Sequence, residues 1–208
     1  MIPVYLEVGA KRVFACVFDW PGWCRAGRSE DQALEALRSY APRYAVVARE
    51  AGLKLPEAEF EVVERVPGSA TTDFGAPGAI PGRDAEPLEP REGQRLTTLV
   101  DAAWSVCDRV VAGAPAELRK GPRGGGRDRD KMVDHVLEAE GAYARQLGLR
   151  MKPPPRTDSS AIADFRAALL DALRRPPADA KWPPRYAARR IAWHVLDHAW
   201  EIEDRSDS

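Results

Sequence analysis

Residues 189–205, RRIAWHVLDHAWEIEDR, decide the fold of this chain. Apolar side chains recur there every three or four residues, which is the period of an amphipathic α-helix. His194 and His198 stand four residues apart, so their side chains share one helix face with Cβ atoms about 5–6 Å apart. That spacing lets two imidazoles bind one metal ion at about 2.0–2.1 Å. The stretch therefore predicts a packed helix that carries two metal ligands.

A third ligand comes from the remaining histidine of the chain, which has three in all. His135 lies in KMVDHVLEAEGAY (residues 131–143), a second amphipathic segment. Two packed helices then offer three nitrogens to one ion and leave positions open for water or substrate, as a catalytic metal requires. A histidine taken alone is more often a hydrogen-bonded core residue. Because all three histidines converge, we favour a metal site over that alternative.

The ligand set indicates which ion to expect. Three neutral imidazoles suit Zn²⁺, Ni²⁺ or Fe²⁺ better than Mg²⁺ or Ca²⁺, and we predict Zn or Ni. Carboxylates commonly hold the second ring nitrogen of a metal-binding histidine. The candidates by spacing are Glu138, Asp197 and Glu201, with an ordinary solvated helix charge as the alternative for each.

Amphipathic segments fill the second half of the chain. They predict helices over Leu96–Val111, Asp128–Leu147, Ser159–Arg174 and Pro184–Asp204. An all-α four-helix bundle is the default arrangement for helices of this length. The connections 113–127 and 148–158 are long for an up-and-down bundle and favour a crossover or an open cavity.

Residues 93–208 resemble the DinB/YfiT-like family in the stretch 189–205, in the helix that carries His135 and in the helix near 96–111. The resemblance implies a four-helix bundle whose divalent metal is bound by one histidine of the second helix and an HxxxH pair of the last. His135, His194 and His198 occupy those places. The resemblance also implies thiol-dependent transferases and isomerases that use low-molecular-weight thiols such as mycothiol or bacillithiol.

Thiol chemistry of that kind would require a group that holds the anionic part of the thiol or of its electrophile. Metal coordination lowers the pKa of a thiol and presents a thiolate at neutral pH. Arg185, Arg189 and Arg190 are the candidates for binding the anion, because a guanidinium pairs well with carboxylate and phosphate. A solvated helix face is the alternative for these arginines.

Residues 1–66 predict an α+β module of order β-β-(β)-α-β. The stretches 4–8 and 12–19 alternate and predict a hairpin, Trp23–Ala26 is a short third strand, and Phe60–Val66 closes an antiparallel sheet. Ser29 is an N-cap with Gln32 at the capping-box position. Proline at position 42 kinks or breaks the helix that follows.

The stretches VFDWPGWCRAG (17–27) and SEDQALEAL (29–37) resemble HicB-like antitoxin domains. The resemblance implies a small α+β fold related to a degraded ribonuclease H shape, which in antitoxins caps a toxin and often carries a DNA-binding tail. No such tail is recognisable in this chain. We expect a module for ligand binding, partner binding or self-association, and include a homodimer among the expected assemblies.

Residues 67–92 separate the two halves and are rich in proline and glycine. Such a composition predicts neither helix nor central strand. We expect a linker that lies on the surface through Phe74 and Ile80. The predicted organisation is therefore a module over 1–66, a linker over 67–92 and a metal-binding bundle over 93–208.

Composition limits the possible functions. The chain has 208 residues, 44% of them hydrophobic, and a net charge of −1, which predicts a real core and no general attraction to nucleic acid or anionic membrane. No apolar run approaches the ~18 residues of a membrane span, and MIPVY at the start is typical of a strand rather than a signal peptide. Cys16, Cys24 and Cys107 lack CxxC spacing and predict free, partly buried thiols in a reducing cytoplasm.

A basic, glycine-rich stretch, RKGPRGGGRDRDK, spans residues 119–131. It lacks the Gly-Lys-Ser/Thr of a P-loop. Two interpretations stay open, a flap that attracts an anionic substrate and an ordinary solvated loop.

The sequence favours a metal-dependent enzyme that acts on a small molecule, with a low-molecular-weight-thiol transferase first and a hydrolase as an alternative. A non-catalytic regulatory or partner-binding protein with a structural metal is the main rival. A bundle whose histidines are merely core residues is a further one.

Overall fold

The computed structural model describes residues 1–121 and 125–206, so part of the basic stretch, residues 122–124, lies outside the described residues. The elements confirm an α+β protein in which a sheet near the N-terminus is followed by helices. In chain order they are β1 (Ile2–Val8), β2 (Val13–Val17), β3 (Cys24–Gly27), α1 (Glu30–Ser39), α2 (Ala41–Glu50), β4 (Phe60–Pro67), α3 (Ala70–Phe74), a 3₁₀-helix (Gly82–Ala85), α4 (Pro90–Gly113), α5 (Arg129–Gln146), α6 (Ser159–Arg174) and α7 (Pro184–Ser206).

The sheet is mixed rather than antiparallel. Its strand order is β3-β2-β1-β4. β2 pairs antiparallel with both β1 and β3, whereas β4 pairs parallel with β1. The prediction of an antiparallel sheet is therefore wrong for β4. Short turns reverse the chain between the first three strands, but α1 and α2 carry it across the sheet before β4, which allows a parallel pair.

Proline at position 42 divides the predicted helix in two. It lies in the first turn of α2, where its missing N–H costs no hydrogen bond. The Ser29 hydroxyl accepts the backbone N–H of Gln32 at 3.3 Å, as an N-cap does. The Gln32 side chain accepts the backbone N–H of Arg28 at 3.1 Å. In a capping box it would accept the backbone N–H of Ser29, one residue later.

The turn between β2 and β3 brings the N-terminal module against α7. Gly22 has a φ of 91°, and a Cβ added there would lie 2.6 Å from Leu196 Cδ1 and 3.0 Å from the Ala192 carbonyl carbon. Glycine is thus required both for the left-handed backbone and for the close approach. Beside it, Trp23 is fully buried and donates its indole N–H to the Leu37 carbonyl at 2.9 Å.

The two faces of the sheet join the helices in different ways. One face, with Val4, Leu6 and Ala15, belongs to the same buried cluster as residues of α1, α2, α4 and α7. The opposite face, with Tyr5 and Phe14, packs against Trp193 of α7. Among the last four helices, α7 has its most extensive contact with α4 and also packs against α5 and α6.

Residues 67–92, called the strap from here on, contain two short helices, so the prediction that they hold no helix is wrong. Proline and glycine limit α3 to one turn but do not forbid it, because Ser69 caps its start and Gly75 ends it. The expected surface contacts are also wrong, since the side chain of Phe74 is 91% exposed and that of Ile80 is 44% exposed.

The strap is instead held by a buried carboxylate of β1. Glu7 is fully buried and accepts the backbone N–H groups of Gly78 and Ala79, each at 2.9 Å. The hydroxyl of Thr72 donates to the same carboxylate. A buried charge is tolerated only when it is hydrogen-bonded in this way.

Each helix of the described ranges is too short or too polar to cross a lipid bilayer.

Helix α5 places a carboxyl group in the core. Glu140 is fully buried and accepts the indole N–H of Trp104 at 2.5 Å. Its second oxygen, Oε2, has no hydrogen-bond partner among the described residues. Burial raises the pKa of this carboxyl to about 7, although the nearby Arg166 opposes the change. Ionisation of Glu140 therefore destabilises the folded protein at neutral and alkaline pH.

We expect Glu140→Gln to stabilise the protein above pH 7. A carboxyl whose pKa rises from 4.5 to about 7 on folding destabilises the fold progressively as pH increases between those values. At pH 8 the free energy of unfolding should increase by roughly 2–3 kcal/mol, and at pH 5 by under about 1 kcal/mol. Urea titrations of the metal-free protein measure both.

Glu138→Gln is the matched control for that comparison, because Glu138 is exposed on the same helix. Its free energy of unfolding should change little at either pH. Equal stability of Glu140→Gln and the unmodified protein at pH 8 contradicts a buried, ionised Glu140.

Candidate metal centre

The three histidines meet between α5 and α7. His135 lies in the second turn of α5, and His194 and His198 lie one turn apart in the middle of α7. The two helices pack against each other. The ligand nitrogens of the three rings all lie within 4.8 Å of one another. The convergence predicted from the sequence is therefore confirmed, and the cluster can bind a metal ion.

Two of the nitrogen–nitrogen separations in the cluster match those of a tetrahedral site. His194 Nε2 lies 3.3 Å from His135 Nε2 and 3.2 Å from His198 Nε2. Two ligands of a tetrahedral ion with metal–nitrogen bonds of about 2.0–2.1 Å are about 3.3–3.4 Å apart. His194 and each of the other two histidines are thus spaced as two ligands of one tetrahedral ion are.

The cluster has three ligand groups within the part of the chain that the structure describes. No aspartate, glutamate or cysteine of those residues joins the histidines as a fourth ligand. Structural zinc sites usually have four protein ligands, whereas catalytic sites keep a position for water or substrate. In its number of protein ligands the cluster matches the second kind.

Burial favours the neutral form of two of the imidazoles, those of His135 and His194. It lowers the pKa of His194 well below its ordinary value, and the neighbouring His198 and His135 lower it further. The pKa of His135 is lowered by burial and then by the positive charge of Arg127. A neutral ring offers a lone pair to a metal, so both histidines can act as ligands at neutral pH.

Glu201 orients one of the ligands. Its Oε2 lies 3.1 Å from His198 Nδ1, and its Oε1 accepts from Arg205 at 2.8 Å. The hydrogen bond with His198 lowers the pKa of the Glu201 carboxyl, and Arg205 adds to the effect. An ionised carboxylate at Nδ1 places the ring proton there and leaves Nε2 free for the ion.

The other two carboxylates selected by spacing, Asp197 and Glu138, have environments that differ from that of Glu201. Asp197 accepts from Arg25 Nη1 at 2.9 Å and so links α7 to β3. Glu138 is exposed, and its charge only opposes the lowering of the His135 pKa. His194 Nδ1 is buried without a hydrogen-bond partner in residues 1–121 and 125–206.

Two of the three candidate arginines are engaged in ion pairs, of which the pair of Arg189 is buried. Arg185 donates to Glu92 at 2.6 Å and to the Pro87 carbonyl at 3.0 Å. Arg189 pairs with the fully buried carboxylate of Asp84 in the strap. Both pairs fasten the strap to α7, and neither guanidinium is aimed at the histidines.

Arg190 has a different environment. Its Nη1 is buried and has no hydrogen-bond partner among the described residues, as is also true of Nε and Nη1 of Arg189. The guanidinium carbon of Arg190 lies 4.7 Å from the ring centre of Trp193 and 5.6 Å from that of Tyr143. The Tyr143 ring in turn lies 5.9 Å from the ring of His194. One turn before His194, Arg190 is thus held by aromatic rings beside the cluster.

Sequence reasoning did not single out the aromatic side chains near the histidines. Tyr143 contacts His194 and also lies 5.3 Å from the ring of Trp182, which precedes α7. The position of Tyr143, eight residues after His135 on α5, was the available signal. On the other side of the cluster, a cavity of about 40 Å³ is lined by His198, Met132 and Arg166.

Comparison with family models, curated proteins and solved structures finds no match to this chain. The DinB-like and HicB-like resemblances therefore stay predictions that rest on short motifs. A proposal about function therefore rests on the geometry of the three-histidine cluster.

We expect Glu201→Ala to weaken metal binding by about 10–100-fold, because the His198 ring loses the carboxylate that orients it. Competition between the protein and a chromogenic chelator for Zn²⁺ measures the affinity. Glu138→Ala is the matched control and should bind like the unmodified protein. Equal affinities for Glu201→Ala and Glu138→Ala argue against an orienting role of Glu201.

Proposed function

We propose that α4–α7 form a four-helix bundle of the DinB/YfiT type and that the protein is a metal-dependent enzyme acting on a small molecule. His135, His194 and His198 would hold one divalent ion. The observation that carries the proposal is the pair of Nε2 separations, 3.2 and 3.3 Å, in a cluster of three ligands within the described residues.

Zinc is the favoured ion, with nickel second. Zinc has no geometric preference from its d-electrons and is most often tetrahedral in proteins. Neutral nitrogen ligands also disfavour magnesium and calcium.

A divalent ion of this type lowers the pKa of a coordinated thiol or water and supplies a nucleophile at neutral pH. We favour thiol transfer as the reaction, and hydrolysis is the alternative. Glu201 keeps the His198 ring in the tautomer that exposes Nε2. Tyr143 and Trp182 offer apolar ring surface beside the cluster.

Arg190 is the residue that would bind an anionic group of the substrate. Its unpartnered Nη1 lies among aromatic rings that also contact His194. A buried donor without a partner costs about 1–3 kcal/mol, so a carboxylate that reached it would be bound tightly. Arg185 and Arg189 are already paired with Glu92 and Asp84. An anionic thiol would bind the ion through its sulfur and Arg190 through its anionic group.

One observation favours the rival function, a regulatory protein with a structural metal. The cavity at His198 measures about 40 Å³, whereas small-molecule pockets usually measure about 300–1,000 Å³. A substrate would therefore have to approach from solvent, where His135 and His198 are partly exposed. The three-ligand donor set still weighs against a structural ion.

Elemental mass spectrometry of the freshly purified protein tests whether the site holds metal. We expect about one zinc or nickel per chain, lost in both His135→Ala and His194→Ala because two imidazoles hold such an ion far less tightly than three. Asp134→Ala, an exposed neighbour of His135, is the control and should retain the metal. Absence of metal even after incubation with excess Zn²⁺ and Ni²⁺ overturns the proposal.

Thiol binding to the cobalt-loaded protein tests the substrate class. Mercaptoacetate carries a carboxylate where 2-mercaptoethanol carries a neutral hydroxymethyl group, and both should change the visible spectrum of Co²⁺ when their sulfur coordinates it. We expect Arg190→Gln to weaken mercaptoacetate about tenfold, because one charge-assisted hydrogen bond is lost. Its affinity for 2-mercaptoethanol should not change.

Arg145→Gln, an exposed arginine of α5, is the control for that titration. If Arg190→Gln binds both thiols like the unmodified protein, Arg190 is not the anion site. If neither thiol perturbs the cobalt spectrum of the unmodified protein, the thiol chemistry itself is wrong.

A further inference from the structure

Two of the cysteines lie opposite each other on adjacent strands of the sheet. Cys16 of β2 and Cys24 of β3 are register partners in an antiparallel pair. Their Sγ atoms lie 2.7 Å apart, and both residues are buried. Their separation of seven intervening residues gave no motif in the sequence, because the pairing is created by the turn between the strands.

The backbone hydrogen bonds show whether Cys16 and Cys24 form a hydrogen-bonded or a non-hydrogen-bonded pair of the antiparallel strands. The N–H of Val17 donates to the Trp23 carbonyl at 3.0 Å, so residues 17 and 23 are a hydrogen-bonded pair. The next position along, Cys16 opposite Cys24, is then a non-hydrogen-bonded pair, in which the Cα atoms are about 4.5 Å apart. Disulfides span Cα separations of about 4.4–6.8 Å. A bond between the two sulfurs therefore requires no movement of the strands.

The surroundings limit which reagents reach the pair. Both cysteines line a cavity of about 10 Å³, together with Tyr186 and Arg190, which has room for about one water molecule. Burial raises the pKa of the Cys24 thiol well above its ordinary value. Large disulfide reagents do not fit this space, whereas hydrogen peroxide is little larger than water.

We propose that Cys16 and Cys24 are a redox-active thiol pair that hydrogen peroxide converts into a cross-strand disulfide, and that Cys107 stays reduced. The chemistry balances with peroxide as the oxidant. One thiol takes an oxygen atom from peroxide to give a sulfenic acid and one water. The second thiol attacks that sulfur, the S–S bond forms, and a second water leaves. Two thiols are oxidised and one peroxide is reduced to two waters.

Cys107 provides an internal comparison. It is buried in α4 and has no cysteine partner in the described part of the chain. Burial raises the pKa of its thiol to about 12, as burial also raises that of Cys24, so the difference between the two thiols is the partner cysteine. Oxidation there would have to stop at a sulfenic acid or continue to higher oxides, and each of these adds mass rather than removing it.

Intact mass spectrometry of the folded protein, reduced and then exposed to hydrogen peroxide, tests the proposal. We expect the mass to fall by about 2 Da, the mass of two hydrogens, and to return after treatment with dithiothreitol. Counting thiols after denaturation should give one instead of three per chain. Cys107→Ser should lose the same two hydrogens, whereas Cys16→Ser and Cys24→Ser should not.

Peptide mapping of the oxidised, unmodified protein makes the test independent of whether the serine variants fold. A peptide pair joined through Cys16 and Cys24 is the expected product. Three free thiols after peroxide treatment, a disulfide that joins two chains, or oxidation confined to Cys107 would each overturn the proposal.

Discussion

Burial of α7 is the constraint on which the rest of the structure depends. The helix packs against α4, α5 and α6, and its residue Trp193 covers one face of the sheet. Charged side chains on such a helix must find partners, because a buried unpaired charge is costly. Arg185 and Arg189 therefore determine where the strap runs, through Glu92 and Asp84. The sheet, the strap and the last helices are held together through one element.

The same burial gives the candidate metal centre its chemistry. His194 is buried and cannot easily carry a charge, so its ring stays neutral and available to an ion. His198 lies one turn further on and is oriented by Glu201, while His135 comes from the adjoining α5. Arg190 lies on the same helix without an anionic partner among the described residues. Packing thus places three possible ligands and the buried Nη1 of Arg190 along the same part of α7 and α5.

Periodicity predicted the elements well because it depends only on which face of a helix or strand is buried. The long helices begin and end within a few residues of their predicted bounds, apart from α4, which begins at Pro90 inside the expected linker. Likewise, the spacing of His194 and His198 fixed their common face, and His135 met them because its stripe faces α7. These inferences used local geometry alone.

Partners distant in sequence could not be predicted in that way. Asp197 has the spacing of a residue that supports a metal ligand, but it forms an ion pair with Arg25 of β3. Arg189 looked available for a substrate, but Asp84 of the strap pairs with it. The burial of Glu7 likewise depends on the strap, whose backbone N–H groups donate to its carboxylate. The parallel pairing of β4 belongs to the same class, since the path of the chain through α1 and α2 decides it.

Anomalous diffraction at the zinc absorption edge, from crystals of the protein loaded with one equivalent of Zn²⁺, tests the central claim most directly. We expect one strong peak about 2.0–2.1 Å from the Nε2 atoms of His135, His194 and His198, with a non-protein ligand completing the tetrahedron. A map without a peak between α5 and α7, or a peak with a fourth protein ligand, would contradict it.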